Sequence, residues 1–217
     1  SGGKMKEYCE TNKIEYRFVP DYHSPRASFT SYLYTILKVL HTTFEIKQDD
    51  ITESIVEMEK TRNKINSSNL SKENPALQLA EGITNIPVIY YPFGLQSAAI
   101  RFKNSLQENT KIHAMVENIV ETCHNGIVSW ERTSNVQPIL IQGVDDFVKT
   151  KERWKIMKEY FKNNKINYLE TISVTGSILS KIINLIYILD YSSIYCAVMT
   201  KIDPTPVKSI NFVKSKL

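Results

Sequence analysis

The chain has 217 residues, of which 42% are hydrophobic and 23% are charged, a composition typical of a globular protein rather than a disordered one. Its 27 basic and 23 acidic residues are well mixed along the sequence and leave a net charge of +4. This balance suits an anionic ligand but falls short of the clustered basic surface of a nucleic-acid-binding protein, so we expect no nucleic-acid partner.

The first part of the chain has helical patterns on either side of one alternating segment. A polar helix is predicted over 4–12, and the alternation at 14–19 predicts a β-strand. Ser24 is predicted to be an N-cap, with Pro25 at the first helical position. Apolar residues at helical spacing continue that helix to about Phe44.

A second helix and a polar stretch then lead into the rest of the chain. Asp50 and Glu53 form a D-x-x-E pattern that predicts a capping box at the start of this helix. The stretch 66–69 is rich in Asn and Ser and is the best boundary candidate. We therefore predict two domains, with limits at 1–68 and 69–217.

The second part alternates between strands and helices. Strands are predicted over 86–91, 111–116, 138–141 and 166–174. Asp145 or Asp146 is expected to cap the helix before the last strand. Strands separated by helices predict an α/β, Rossmann-like domain with a parallel sheet flanked by helices. The part before residue 69 is too small for a complete α/β domain and is predicted to be the C-terminal remnant of a preceding one.

Several classes of site and location are disfavoured by the remaining features. The longest apolar stretch, Ile178–Met199, is interrupted by Lys181, Asn184 and Asp190, which predicts a buried helix and no membrane span. With only 7 glycines, no dinucleotide-binding or phosphate-binding loop motif is present. The three cysteines have no metal-ligand spacing and favour reduced thiols in the cytoplasm. No metal and no cofactor are expected.

One of the four histidines lies where parallel-sheet proteins carry functional groups. His124 lies in a turn-like segment that follows a predicted strand, and ligand sites in such sheets collect beyond strand ends. His41, on a predicted helix, and His113, in a predicted strand, are expected to be structural. His23 lies in the loop that precedes the second helix, close in sequence to Arg26.

Four segments in series resemble one protein family. The segment 98–111 is similar to a helix with A-x-R-x-K that ends in N-E-N-x-K, and 121–131 is similar to E-L-N-H-N-E-I-x-x-W. Upstream, 1–4 and 24–28 resemble an S-G-G opening and a P-R-A segment. The C-terminal 206–217 resembles a closing helix that ends L-K-x-x-L. Together they resemble the archaeal-type bifunctional phosphoglucose/phosphomannose isomerases, which have two sugar isomerase (SIS) domains.

The resemblance implies an aldose–ketose isomerase that converts glucose 6-phosphate, and also mannose 6-phosphate, to fructose 6-phosphate through a cis-enediolate. Glu108 would be the base that moves the proton between C1 and C2. His124 would open the sugar ring from across a homodimer interface, and Lys214 would assist it. Arg26 would stabilise the enediolate charge. Thr205 corresponds to a threonine associated with accepting the mannose epimer.

Some features depart from the family pattern. Gly126 replaces the usual Glu after His-Asn, and Lys216 is an alternative to Lys214. The phosphate loops of the first SIS domain are absent, so this chain alone is expected to have little or no activity. The opening Ser1-Gly2-Gly3-Lys4 lacks an initiator Met, which indicates either a cloning remnant or a start inside a larger protein. The alternative function is a non-catalytic SIS module that binds sugar phosphates.

Overall fold

The computed structural model describes residues 4–20, 22, 24, 26–41 and 43–217, and the chain forms two compact units, Ser1–Gln48 and Asp49–Leu217. Among its described residues the first unit contains two helices, α1 (Lys4–Thr11) and α2 (Phe29–Leu40). The motif residues 1–3, His23 and Pro25 lie outside the described part of the chain.

Two predictions for the first unit are wrong. Residues 14–19 form no strand, because a strand needs a neighbour for its backbone groups and the described residues of this unit offer none. Ser24 is not the helix cap: its carbonyl accepts a bond from the Ala27 backbone N–H at 3.0 Å in a separate turn. Helix α2 begins four residues later than predicted, with Ser28 at the N-cap position.

Helix α3 (Gln48–Ile65) lies almost entirely in the second unit and packs against its longest helix, α8 (Ile178–Met199). The Glu53 carboxylate accepts bonds from the Ser177 backbone N–H and the Ser180 hydroxyl, both at 2.9 Å, so it caps α8 and not its own helix. These hydrogen bonds lower the pKa of Glu53 below its usual value. Because α3 packs within the second unit, the boundary between the two compact units lies at 48/49. The predicted domain boundary at 68/69 stays a prediction.

The second unit is built on a four-stranded sheet. Its strands are β1 (Ile86–Tyr91), β2 (Met115–Asn118), β3 (Val136–Gln142) and β4 (Leu169–Ile172). The order is β2-β1-β3-β4 and every neighbouring pair is parallel. The central strands are buried almost throughout, as expected for strands that are covered on both faces. The predicted α/β class with a parallel sheet is confirmed.

Helices cover both faces of this sheet. The remaining helices are α4 (Pro75–Gly82), α5 (Gln96–Ser105), α6 (Ile119–Thr122), α7 (Val148–Asn163) and α9 (Lys208–Lys214). Helices α4 and α5 pack against α8 on one face, and α6 packs against α7 on the other. The α7 face encloses an aromatic core in which Trp154 and Phe161 pack against Tyr90.

Helix α8 is the apolar helix predicted from the sequence. It is long and apolar enough to cross a membrane by length and composition, and 56% of its most apolar window is buried within the protein. Its fully buried side chains, such as Ile183 and Leu189, face the helices on the same side of the sheet. Burial of this kind is what the core helix of an α/β domain requires.

Two local details of the second unit differ from the predictions. His113 lies in the loop before β2 and not within a strand. Helix α7 begins after Phe147, and neither aspartate before it caps it. The Asp146 carboxylate instead accepts bonds from the Gly143 backbone N–H at 3.0 Å and from Trp154 Nε1 at 2.8 Å. It therefore closes the turn after β3 and not the helix.

Candidate active site

Glu108 lies on a π-helical turn, Leu106–Thr110, that extends α5 and was not predicted. Such turns are rare and frequently occur at functional sites. The Thr110 hydroxyl bonds the Leu106 carbonyl within the turn, and the Asn109 amide donates to Ser193 Oγ on α8 at 2.8 Å. Both Asn109 and Thr110 are buried, while Glu108 between them and the start of the turn is half-buried. The turn is therefore fixed to the core at the residue next to the predicted base.

Lys111 ends the π-helical turn and joins it to a distant loop. Its backbone is left-handed, with φ 61°, which is uncommon for a residue with a side chain. Its ammonium donates to the Glu108 carbonyl, to the Pro206 carbonyl at 2.9 Å and to the Pro204 carbonyl at 3.4 Å. One cation thus holds the backbone of Glu108 beside the loop that contains Thr205. The structure brings these two predicted site residues together.

An ion pair fixes α5 on α8 close to Glu108. Asp190 accepts bonds from Arg101 Nη2 at 2.6 Å and Nε at 2.9 Å, and from Ser105 Oγ at 2.7 Å. Burial raises the pKa of the Asp190 carboxyl, while Arg101 and Ser105 oppose that rise. With three donors aimed at it, this carboxylate is the anchor between the two helices.

The loop after α8 leads from Thr205 to the C-terminal helix. The Thr205 backbone N–H donates to Asp203 Oδ1 at 2.8 Å, and this bond, together with the nearby Lys111 charge, lowers the pKa of Asp203. Helix α9, which follows, has no buried residue. Lys214 and Lys216 are both exposed, so the structure does not choose between them.

His124 lies on the exposed turn after α6, as predicted. Its backbone N–H donates to the Glu121 carbonyl at 2.9 Å. A 3₁₀ helix (Gly126–Glu131) follows, and Trp130 Nε1 from this helix donates to the Tyr90 hydroxyl at 3.0 Å. Burial raises the pKa of Tyr90 to about 12, so its hydroxyl stays protonated at neutral pH. The imidazole thus stands on an exposed turn whose far end is attached to the core.

Glu108 and His124 are on opposite sides of the sheet. Helix α5 runs antiparallel to the strands, so Glu108 at its end lies by the amino-terminal ends of the strands, on the α8 face. His124 follows the carboxyl end of β2 on the α7 face. The strands alone separate these edges by on the order of 15 Å. A single protomer therefore does not bring the base and the imidazole into one pocket.

Gly126, which departs from the family pattern, lies beside the carboxylate of Glu117. A Cβ at position 126 would stand 2.6 Å from Glu117 Oε2 and 2.8 Å from Oε1. The missing side chain leaves room for this carboxylate, which comes from β2 near its carboxyl end. A negative charge is thus present next to the His124 turn, although residue 126 does not supply it.

Arg26 belongs to the first compact unit. It lies half-buried in the turn that precedes α2. The predicted position at the start of a helix is therefore wrong by a few residues.

Lys111 is the residue that sequence reasoning missed as a contributor to this site. It appeared only as the last letter of the N-E-N-x-K pattern, and its three acceptors are up to 95 residues away in the chain. Among the described residues, no group of three or more His, Cys, Asp or Glu side chains is arranged to hold a metal ion.

The doubly covered parallel sheet and the polar corner around Glu108 define the class of the chain: it has the SIS-domain fold of phosphosugar isomerases. A glucose-6-phosphate isomerase-like protein from Thermus thermophilus superposes with a TM-score of 0.65 at 15% identity, covering 94% of this chain and 71% of that one. Residues 72–217 match the model of the bacterial phospho-glucose isomerase C-terminal SIS domain, and the chain belongs to that family.

Two similar proteins are bifunctional phosphoglucose/phosphomannose isomerases. The protein of Caldicellulosiruptor bescii is 29% identical over 227 residues, and that of Aquifex aeolicus is 25% identical over 221 residues. Each match covers 100% of this chain but 66% of the relative. The chain therefore spans just under two thirds of the length of the relatives it matches. The resemblance inferred from the sequence motifs is confirmed at the level of the family.

Proposed function

We propose that the protein carrying this chain is an aldose–ketose isomerase that interconverts glucose 6-phosphate, and also mannose 6-phosphate, with fructose 6-phosphate. The observation that carries the proposal is the position of Glu108. Its half-buried side chain stands on a π-helical turn that Lys111 ties to the Thr205 loop, within the region matched by the family model. The names of the two relatives indicate the same substrates.

The proposed chemistry moves one proton between neighbouring carbons. The Glu108 carboxylate removes the proton from C2 of the open-chain aldose; the electron pair forms the C1–C2 double bond while the C1=O π bond breaks, which leaves the negative charge of a cis-enediolate on O1. The O2 proton then moves to O1, the C2=O bond forms, and the C1–C2 electron pair takes the proton back from the same carboxyl at C1, which gives the ketose. Arg26 supplies a permanent positive charge for the enediolate oxygens. No electrons leave the substrate, so the steps balance without a redox partner.

Ring opening precedes this transfer and needs an acid–base pair. We assign it to His124, because a histidine ring can both donate and accept a proton, assisted by Lys214 or Lys216. We assign to Thr205 the contact with the C2 substituent whose orientation distinguishes the two epimers. These roles follow the family resemblance and the juxtaposition of Glu108 with the 204–206 loop.

A homodimer is part of the proposal, because Glu108 and His124 of one protomer lie on opposite sides of the sheet. A second copy can present its His124 turn to the Glu108 corner of the first, and a twofold axis then creates two equal sites. The exposure of His124 agrees with this arrangement.

The three cysteines are free thiols, and we place the protein in the cytoplasm.

Mixed dimers test the shared site. Glu108→Gln and His124→Ala variants of the protein that carries this chain are each expected to be nearly inactive. After the two are mixed and allowed to exchange subunits, half of the dimers are mixed and each has one intact site, so activity should recover to about a quarter of the wild-type value. The assay follows fructose 6-phosphate converted to glucose 6-phosphate.

No recovery in verified mixed dimers would contradict the shared site.

The non-catalytic alternative has its own signature: fructose 6-phosphate would raise the melting temperature while the wild-type protein shows no turnover. The chain of 217 residues alone is expected to show little or no turnover. Its relatives have a further third of their length, in which we expect the phosphate loops to lie.

A further inference from the structure

A cleft of about 540 Å³ opens beside the carboxyl ends of β3 and β4, on the α7 face of the sheet. One wall carries Lys151, Lys155 and Lys158 of α7, and the other carries Tyr168 and Ile172. Cavities of this size hold small-molecule ligands, and the carboxyl ends of parallel strands are where α/β domains bind them. The cleft shares no residue with the Glu108 corner or with the His124 turn.

Among the described residues, two of the three lysines in this wall have no carboxylate partner. Lys158 pairs with Glu170 at 3.1 Å. Within the described residues, neither Lys151 nor Lys155 forms an ion pair with a carboxylate. Glu159, one turn after Lys155, is exposed and makes no such pair with it. The wall therefore carries unneutralised positive charge.

The carboxylates closest to the cleft in sequence and structure are already engaged. Asp146 bonds the Gly143 backbone and the Trp154 indole, and Asp145 pairs with Lys181 at 2.9 Å. Glu170 accepts from Gln142 Nε2 at 2.9 Å as well as from Lys158. None of these groups can turn to Lys151 or Lys155 without losing a partner. In the described part of the chain, an anion bound in the cleft would therefore reach Lys151 and Lys155 without displacing a carboxylate partner.

The direction of α7 increases the positive potential. The helix starts at Val148 and carries no acidic residue in its first turn, where Lys149 pairs with Glu152 at 2.8 Å and Lys151 has no carboxylate partner among the described residues. The N-terminal end of a helix is itself positive, so cations at this end are unfavourable and an anion is favourable. Lys151 and Lys155 are also one turn apart and repel each other. A bound anion offsets all of these effects together.

The side chains of the two walls restrict the kind of ligand that the cleft can bind. Tyr168 and Ile172 line the wall opposite the lysines, so an apolar or ring-bearing part of a ligand can lie against them. We propose that this cleft is a second anion site, which binds the phosphate or diphosphate group of a small metabolite through Lys151 and Lys155. Because it is separate from the Glu108 corner, it is suited to regulation and not to turnover.

Calorimetric titration with inorganic pyrophosphate, and with inorganic phosphate in parallel, tests this site in the protein as it exists. The variant Lys151→Ala/Lys155→Ala removes the two unpaired charges. The control Lys149→Ala/Lys162→Ala removes the same charge from the same helix, at residues outside the cleft. We expect pyrophosphate affinity to fall at least ~10-fold in the first variant and less than ~3-fold in the control. Tighter binding of pyrophosphate than of phosphate would indicate a diphosphate ligand.

Equal losses in the two variants would mean that pyrophosphate responds only to the overall charge of α7, and this would overturn the proposal. Binding that is unchanged in the Lys151→Ala/Lys155→Ala variant would overturn it too. All substituted residues are exposed, so both variants are expected to fold, and their unfolding transitions verify this. The result does not depend on isomerase activity, which is measured separately with fructose 6-phosphate.

Discussion

The corner around Glu108 and the turn around His124 are held in opposite ways. Glu108 stands between residues that bond to α8 and to the 204–206 loop, so side chains distant in the sequence fix its backbone. The backbone of His124 bonds locally, to the Glu121 carbonyl, and the segment is attached to the core farther along, through Trp130 and Tyr90. The first region is anchored before any partner arrives, whereas the second is presented at the surface.

This difference fits the two proposed tasks. A base that takes a proton from carbon must stand close to its target, and small displacements cost large factors in rate. A group that serves a neighbouring protomer must instead protrude, and dimer contacts can complete its positioning. The comparison predicts that substitutions in the two regions have different effects on stability, although both reduce activity.

The largest effect on activity is expected from Glu108→Gln. The amide cannot accept the proton from carbon, so kcat should fall by about 10²–10⁴-fold with little change in the melting temperature. Turnover of glucose 6-phosphate by the protein that carries this chain measures it. Glu121→Gln, an exposed carboxylate on the His124 side, is the control and should leave kcat within a factor of about two. An unchanged kcat in Glu108→Gln would show that Glu108 is not the catalytic base.

The variant Lys111→Met tests whether the contacts that fix the backbone of Glu108 contribute to catalysis. It removes the cation that joins the Glu108 backbone to the 204–206 loop, so we expect kcat to fall ~10-fold while KM changes less. Lys201, also left-handed with φ 58° and exposed, provides the matched control in Lys201→Met. If the two variants lose the same activity, Lys111 has a structural role only.

Asp190→Asn probes the stability of the same corner. The substitution leaves the half-buried Arg101 without its charge partner and should lower the free energy of unfolding by about 2 kcal/mol. Urea denaturation measures this loss. Asp203→Asn, at an exposed carboxylate in the loop, should cost much less. A cost in Asp190→Asn no larger than in this control would show that the ion pair does not anchor α5 on α8.

The smallest effect on stability is expected from His124→Ala. The side chain is exposed on a turn, so the free energy of unfolding should change by less than about 0.5 kcal/mol, even though activity is lost. Thermal unfolding at neutral pH provides the comparison with Asp190→Asn. A loss as large as that of the half-buried Arg101–Asp190 pair would show that the turn is a structural element, and the contrast between the two regions would disappear.

Hydrophobic periodicity located the strands of the second unit. All four strands of the sheet were found, although β2 starts later than predicted. The strand at 14–19 failed because alternation alone cannot supply a pairing partner. Asp146 failed as a cap because its carboxylate satisfies a backbone N–H and an indole that are identified only once the chain has folded.

The sequence by itself determined the α/β class, the family and the identity of the candidate residues, because these depend on periodicity and on short motifs. The tertiary structure decided which candidates meet. Lys111 joins segments 95 residues apart, and the direction of α5 places Glu108 far from His124. Such contacts depend on how helices return across a parallel sheet, and no local pattern in the sequence encodes the pairing of groups this distant.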